Sequence, residues 1–180
     1  ELRYSNVGTV DDRSIDLIVK TADSSTYNGN ANVNGQSGQF GIINLEVGGD
    51  ATFHFKFEYS KSRGVNVRLP VFTFTLFDLD KSVSGHVESI CIDGNSYNFP
   101  KVGGDLIVQE NSTKSCDGSQ GSSLSIVAGK EGFQCDNPSD PHELGLVTSE
   151  TCTNEDASYL PINQLNRSAE FVFRDTSNFN

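Results

Sequence analysis

Methionine and tryptophan are both absent from this 180-residue chain, and only five prolines interrupt it. Without these two large apolar side chains, twelve phenylalanines are left as the main core fillers. No run of 18 apolar residues occurs, so no segment reads as a membrane-spanning helix. Bases are scarce: 13 Lys and Arg face 24 Asp and Glu, a net charge of −11 with no basic run to offset it. Such a surface repels phosphate backbones, which excludes nucleic acid as a partner. It suits divalent cations, and it equally serves solubility.

Catalytic signatures are missing as well. No HExxH or GxSxG motif accompanies His54, His86 or His142, so each reads as a surface or hydrogen-bonded histidine. The four cysteines, Cys91, Cys116, Cys135 and Cys152, contain no CxxC pair, which argues against a zinc site or a thioredoxin-like motif. An even count in a chain rich in Gly, Ser and Asn reads as two disulfides and an oxidising compartment. The sequons Asn111-Ser112-Thr113 and Asn166-Arg167-Ser168 agree with glycosylation on a secreted or cell-surface protein. A leader removed before Glu1 is the matching expectation.

What is present is period-two alternation. Ile15, Leu17 and Val19 alternate with polar residues, and Ile43, Leu45 and Val47 repeat the spacing. In "TFHFKFEY", Phe53, Phe55, Phe57 and Tyr59 share one face, and Phe72, Phe74 and Leu76 follow in the same way. Further strands are expected at 86–92, 96–99, 105–110, 123–128 and 169–174. About nine short strands with Gly/Asn/Asp turns predict an all-β, antiparallel β-sandwich, jelly-roll or C2-like, as a single domain over 1–180. Two stretches read as long loops: the asparagine-rich 21–38 and the irregular 135–165.

If consecutive strands run antiparallel, Cys91 and Cys116 reach one end of the fold while Cys135 emerges at the other. Of the three possible pairings, Cys91 with Cys116 and Cys135 with Cys152 is then favoured. The same count brings "FDLD" (77–80), "CDNPSDP" (135–141) and the 48–50 turn to one edge. Calcium takes six to eight oxygen ligands, and Asp78, Asp80, Asp136, Asn137 and Asp140, with Glu88 and Asp50 as additions, supply that chemistry. Carboxylates gathered without a cation repel one another, which favours an ion over mere turn formation. Asp11 and Asp12 are candidates to join the same site. Tyr27 and Tyr97, close to loops, are the candidates for stacking on a sugar.

Three segments, "GQFGIINLEVGGDATFHFKFEYS", "LPVFTFTLFDLD" and "CDNPSDPHELG", together resemble a poorly characterised family of secreted β-sandwich domains of marine algae and some bacteria. Its members carry a phenylalanine-rich strand ending in F-D-L/I/F-D and a D-N-P-x-D-P loop. The resemblance covers roughly residues 15–148. It implies an extracellular sandwich with a cation carried by Asp78, Asp80, Asp136 and Asp140, and it brings no established activity. The expected protein is a secreted, calcium-binding, non-enzymatic adhesion, surface-coat or assembly module. Its expected partners are extracellular polysaccharide or neighbouring protein subunits. A carbohydrate-binding module and a structural subunit of an extracellular filament or wall are the alternatives.

Overall fold

The computed structural model describes residues 1–82, 84–93, 98–132, 137, 138, 144, 146, 147 and 162–179. Its described residues form antiparallel β-sheet with short 3-10 turns and no α-helix. The chain divides into two compact units, residues 1–72 with 173–180, and residues 73–172.

The first unit contains β1 (Leu2–Val10), β2 (Arg13–Thr21), β3 (Gly35–Ser37), β4 (Phe40–Ile42), β5 (Phe53–Tyr59), β6 (Ser62–Asn66) and the first half of β7 (Leu69–Leu76). The second contains β8 (Ser89–Asp93), β9 (Asn98–Val102), β10 (Leu106–Asn111), β11 (Ser123–Ala128), β12 (Leu146–Val147) and β13 (Ile162–Asn163). β14 (Ala169–Thr176) runs from the second unit into the first, where β15 (Asn178–Phe179) closes the described chain.

In the first unit the strand order is β1-β2-β5-β15, with β6 also pairing β5. The register sets Leu17 opposite Phe57 and Val19 opposite Phe55, so alternation places their side chains on one face. Phe55, Phe57, Phe72, Phe173 and Phe179 gather there. Phe72 stacks on Phe173 with ring centroids 5.0 Å apart, and Phe173 lies 4.4 Å from Phe179. Phe55 stacks on Phe179 at 4.9 Å, and Phe57 meets Phe72 edge-on at the same separation. This cluster is how a chain without Met or Trp fills its core.

The second unit carries a three-stranded sheet in the order β10-β11-β8. β11 is its central strand, and Leu124, Ile126 and Ala128 are its buried apolar residues. β14 pairs antiparallel with β9, Ala169 opposite Val102, and fully buries Ala169 and Phe171. Cys91 of β8 is bonded to Cys116, with 5.7 Å between Cα atoms, which is the pairing expected from strand direction. Cys135 and Cys152 lie outside the described residues.

Two differences from the expected strands have local causes. Residues 43–47 form no strand, and Val47 is 70 % exposed. Asparagine side chains capture the backbone there: Asn44 N–H donates to Asn34 Oδ1 and Asn30 N–H to Asn44 Oδ1. Groups a ladder needs are therefore already engaged. β1, in contrast, is a strand that alternation does not announce. Its register shifts between Tyr4 and Gly8, around Asn6 at φ +57°, and a bulge of this kind destroys the period-two signal. With β3, β4, β6 and other short pieces added, fifteen strands are described where about nine were expected.

The aromatic cluster carries a mutational consequence. Phe173→Ala removes a fully buried ring touching two others, and should cost about 3–5 kcal/mol in urea denaturation. A loss under about 1 kcal/mol would show that these rings are not the core of their unit.

Candidate functional site

The segment "FDLD" begins where β7 ends. Asp78 adopts φ +64°, a left-handed conformation that Asp tolerates better than bulky residues, and it ends the strand. Leu79 turns inward to 7 % exposure, and its N–H donates to the Arg167 carbonyl at 3.1 Å. Beyond it the chain doubles back: Glu88 N–H donates to the Asp80 carbonyl (3.0 Å), and Lys81 bridges Val87. Lys81 also pairs with the 130–132 segment, donating to the Lys130 carbonyl and accepting from Gly132 N–H. Gly132 is required for contact as well, because a Cβ there would fall 1.5 Å from Asp80 Oδ2.

At the centre of these segments lies Arg167, last residue of the 3-10 turn Gln164–Arg167 and 4 % exposed. Its Nη1 is 3.8 Å from Asp80 Oδ2 and its Nε is 3.9 Å from Asp105 Oδ2. Its Nη2 donates to the Glu131 carbonyl. One guanidinium thus joins the "DLD" turn, the start of β10 and the 130–132 segment. Glu88 comes to the same place, with Oε2 accepting weakly from Asp80 N–H at 3.4 Å. Glu88 as a residue is exposed, but partial desolvation of its carboxyl against the chain still raises it above the ordinary glutamate range, and that N–H only partly offsets it.

The structure therefore brings together Asp80, Glu88 and, beyond the expected set, Asp105 and Arg167. Asp78 precedes them in the turn. Asp50 is exposed and belongs to the first unit. Asn137 is exposed, while Asp136 and Asp140 lie outside the described residues. Among the described residues, no three His, Cys, Asp or Glu side chains group as metal ligands. Asp11 and Asp12 have φ of +48° and +59° and form the two-residue turn between β1 and β2. Positive φ at both central positions is the hairpin geometry matched to strand twist, and it accounts for both aspartates.

Tyr27 is built into its own loop. Its hydroxyl donates to the Asn44 carbonyl and accepts from Asn34 Nδ2, each at 2.6 Å, and its ring meets Phe53 edge-on. Tyr97 lies outside the described residues, as does His142. His54 is exposed on β5, and His86 Nδ1 lies 2.8 Å from Ser84 Oγ in an exposed turn. Asn111 is exposed and Asn166 half-buried.

A second charged cluster, in the first unit, has no counterpart in the sequence reading. Asp16 of β2 and Glu58 of β5 are directly opposite one another and each 3 % exposed, a like-charge pairing that by itself destabilises a sheet. Arg3 of β1 resolves it, donating to Asp16 at 2.9 Å and to Glu58 at 2.7 Å. Lys56 donates to Glu58 at 2.6 Å, and Asp16 also accepts from Ser60 Oγ and Asn6 N–H. A shallow depression of about 170 Å³ beside it is lined by Lys20, His54 and Lys56, but both lysines are already paired, with Glu1 and Glu58.

Desolvation raises the pKa of Glu58, but the hydrogen bonds from Lys56 and Arg3 outweigh it and hold the carboxyl at about 2. Asp16 is lowered too: desolvation is again opposed, here by Ser60, Asn6 and Arg3. Neither is a proton donor at neutral pH, so the pair is a structural clamp, not an acid–base pair. The sequence signal was Asp16 itself, a charge between Ile15 and Leu17 in an apolar run.

Comparison with protein-family models, with curated proteins and with solved structures returns no match. The reading of function rests on the residues themselves.

The clamp sets a pH dependence. A carboxyl with a depressed folded pKa stabilises the fold above its unfolded value near 4.5, and that contribution is lost as pH falls toward 2. Urea midpoints should drop across this window, and Arg3→Met should lower stability at pH 7 by about 1–2 kcal/mol while flattening the acid slope. An unchanged slope in the variant would remove Arg3 from the clamp.

Proposed function

We propose that this chain is a secreted, non-enzymatic β-sandwich module of adhesion or surface-coat type that takes calcium at the acidic edge of its second unit. The observation that carries the reading is a charge count. Asp80 and Asp105 both face Arg167, the only buried base among the described residues, and Glu88 reaches the Asp80 N–H from the returning chain. Two carboxylates on one guanidinium, with a third acid hydrogen-bonded to the Asp80 backbone, leave an excess of negative charge along this edge.

A divalent cation relieves that excess, and Asp78, Asp80 and Glu88 offer the hard oxygen donors it takes. In this proposal Asp136, Asn137 and Asp140 of the "DNPSDP" segment are further donors. Calcium stiffens the edge and bridges it to an anionic extracellular polysaccharide or to a neighbouring subunit. The overall charge of −11 supports cation dependence, because like-charged copies and acidic polymers otherwise repel the chain. The exposed Cys91–Cys116 bond supports an oxidising compartment, and Cys135 with Cys152 forms the second disulfide of the proposal.

Thermal unfolding tests the calcium site. Calcium at a hundred-fold excess over its Kd should raise Tm by about 5–10 °C, chelator should reverse the rise, and Asp78→Asn with Asp80→Asn should abolish it. A Tm indifferent to calcium and chelator would end the reading. Thiol alkylation of the denatured protein gives the cysteine test: no thiols react before reduction and four after it. Two reactive thiols before reduction would leave Cys91–Cys116 as the sole bond.

A further inference from the structure

We propose that Asn111 carries an N-linked glycan and that Asn166, despite its sequon, does not. The inference rests on the secreted reading above, but the choice between the two sites comes from geometry.

Asn111 is the last residue of β10, the outer strand of its sheet, and residues 111–114 are all exposed. Its Oδ1 accepts three hydrogen bonds, from Thr113 N–H (3.0 Å), Thr113 Oγ1 (3.1 Å) and Lys114 N–H (3.0 Å). Backbone N–H groups only donate, so the amide is fixed with its oxygen inward and Nδ2 outward. The nitrogen that must react is therefore presented to solvent, and the sequon hydroxyl is held against the same carboxamide.

The other sequon is built into a packed turn and is half-buried at its asparagine. Asn166 lies in the 3-10 turn, its carbonyl accepts from Asp105 N–H, and Gly103 packs so tightly that a Cβ there would fall 2.3 Å from that carbonyl. The next residue is the buried Arg167, and Ser168 Oγ donates to the Leu165 carbonyl. Its sequon hydroxyl is committed to the turn.

In the modification, Asn111 Nδ2 forms a bond to C1 of an oligosaccharide carried on a lipid diphosphate. The C1–O bond to the diphosphate breaks, the lipid diphosphate leaves, and Nδ2 loses one proton. The attached glycan stands at the end of β10, where Ile107 and Val108 are 50 % and 45 % exposed on opposite faces of an edge that no other described strand pairs. Edges of this kind invite strand addition, and a bulky polar group at the edge opposes it.

The test is to express the full chain behind a heterologous signal peptide in a eukaryotic host and treat the secreted protein with peptide N-glycosidase. One mass step on deglycosylation is expected, with peptide mapping converting residue 111 to Asp. Asn111→Gln and Thr113→Ala should each abolish the step, while Thr113→Ser and Asn166→Gln should keep it. Secreted protein without a glycan, a step that survives both Thr113→Ala and Asn111→Gln, or a step lost in Asn166→Gln would overturn the assignment. Because the foreign signal forces export, failure here is failure of the site. Failure of the secreted reading shows separately, as a glycan present in this host and absent from the natural protein.

Discussion

A guanidinium set among carboxylates is the interaction on which each unit depends. In a chain with 24 acids and 13 bases, acidic side chains that converge need a cation to make the convergence tolerable. Arg3 does this for Asp16 and Glu58, and Arg167 for Asp80 and Asp105. The two solutions differ. Arg3 keeps 20 % of its side chain exposed and closes direct charge-assisted hydrogen bonds across three strands. Arg167 is buried, its ion pairs are longer, and it also holds a backbone carbonyl, so it organises turns instead of a ladder.

The "DLD" element serves both roles that aspartates at a strand end can have. Asp78 turns the chain through a left-handed residue, Leu79 anchors the turn in the second unit, and Asp80 meets the arginine. An aspartate that already faces a fixed guanidinium is a different starting point for a metal site from one held only by water. Any added ion acts on what the arginine leaves uncompensated. In the proposed calcium site, the balance between Arg167 and its carboxylates would therefore set the affinity.

Much of the fold was legible because period-two alternation survives wherever a strand is regular. β5 and β11 are recovered almost to the residue, the centre of β2 is found without its ends, and the Cys91–Cys116 bond follows from counting strand directions. Legibility failed where side chains compete with the ladder or interrupt it. Asparagines 30, 34 and 44 hold 43–47 out of sheet, and the bulge at Asn6 hides β1. Of the candidate site, Asp80 and Glu88 were named, while Asp105 and Arg167 were not, since nothing local marks a residue whose partners lie elsewhere along the chain.

Composition and alternation by themselves determined an antiparallel all-β chain with a phenylalanine core, a disulfide and an acidic surface, because backbone pleating and charge are local properties. Only the tertiary structure decided that Asp11 and Asp12 make a hairpin turn, that Tyr27 braces a loop, and that Asp16 faces Glu58 under Arg3. Those outcomes depend on partners as far apart as Arg3 and Glu58, 55 positions along the chain, and an electrostatic pair has no sequence period to betray it.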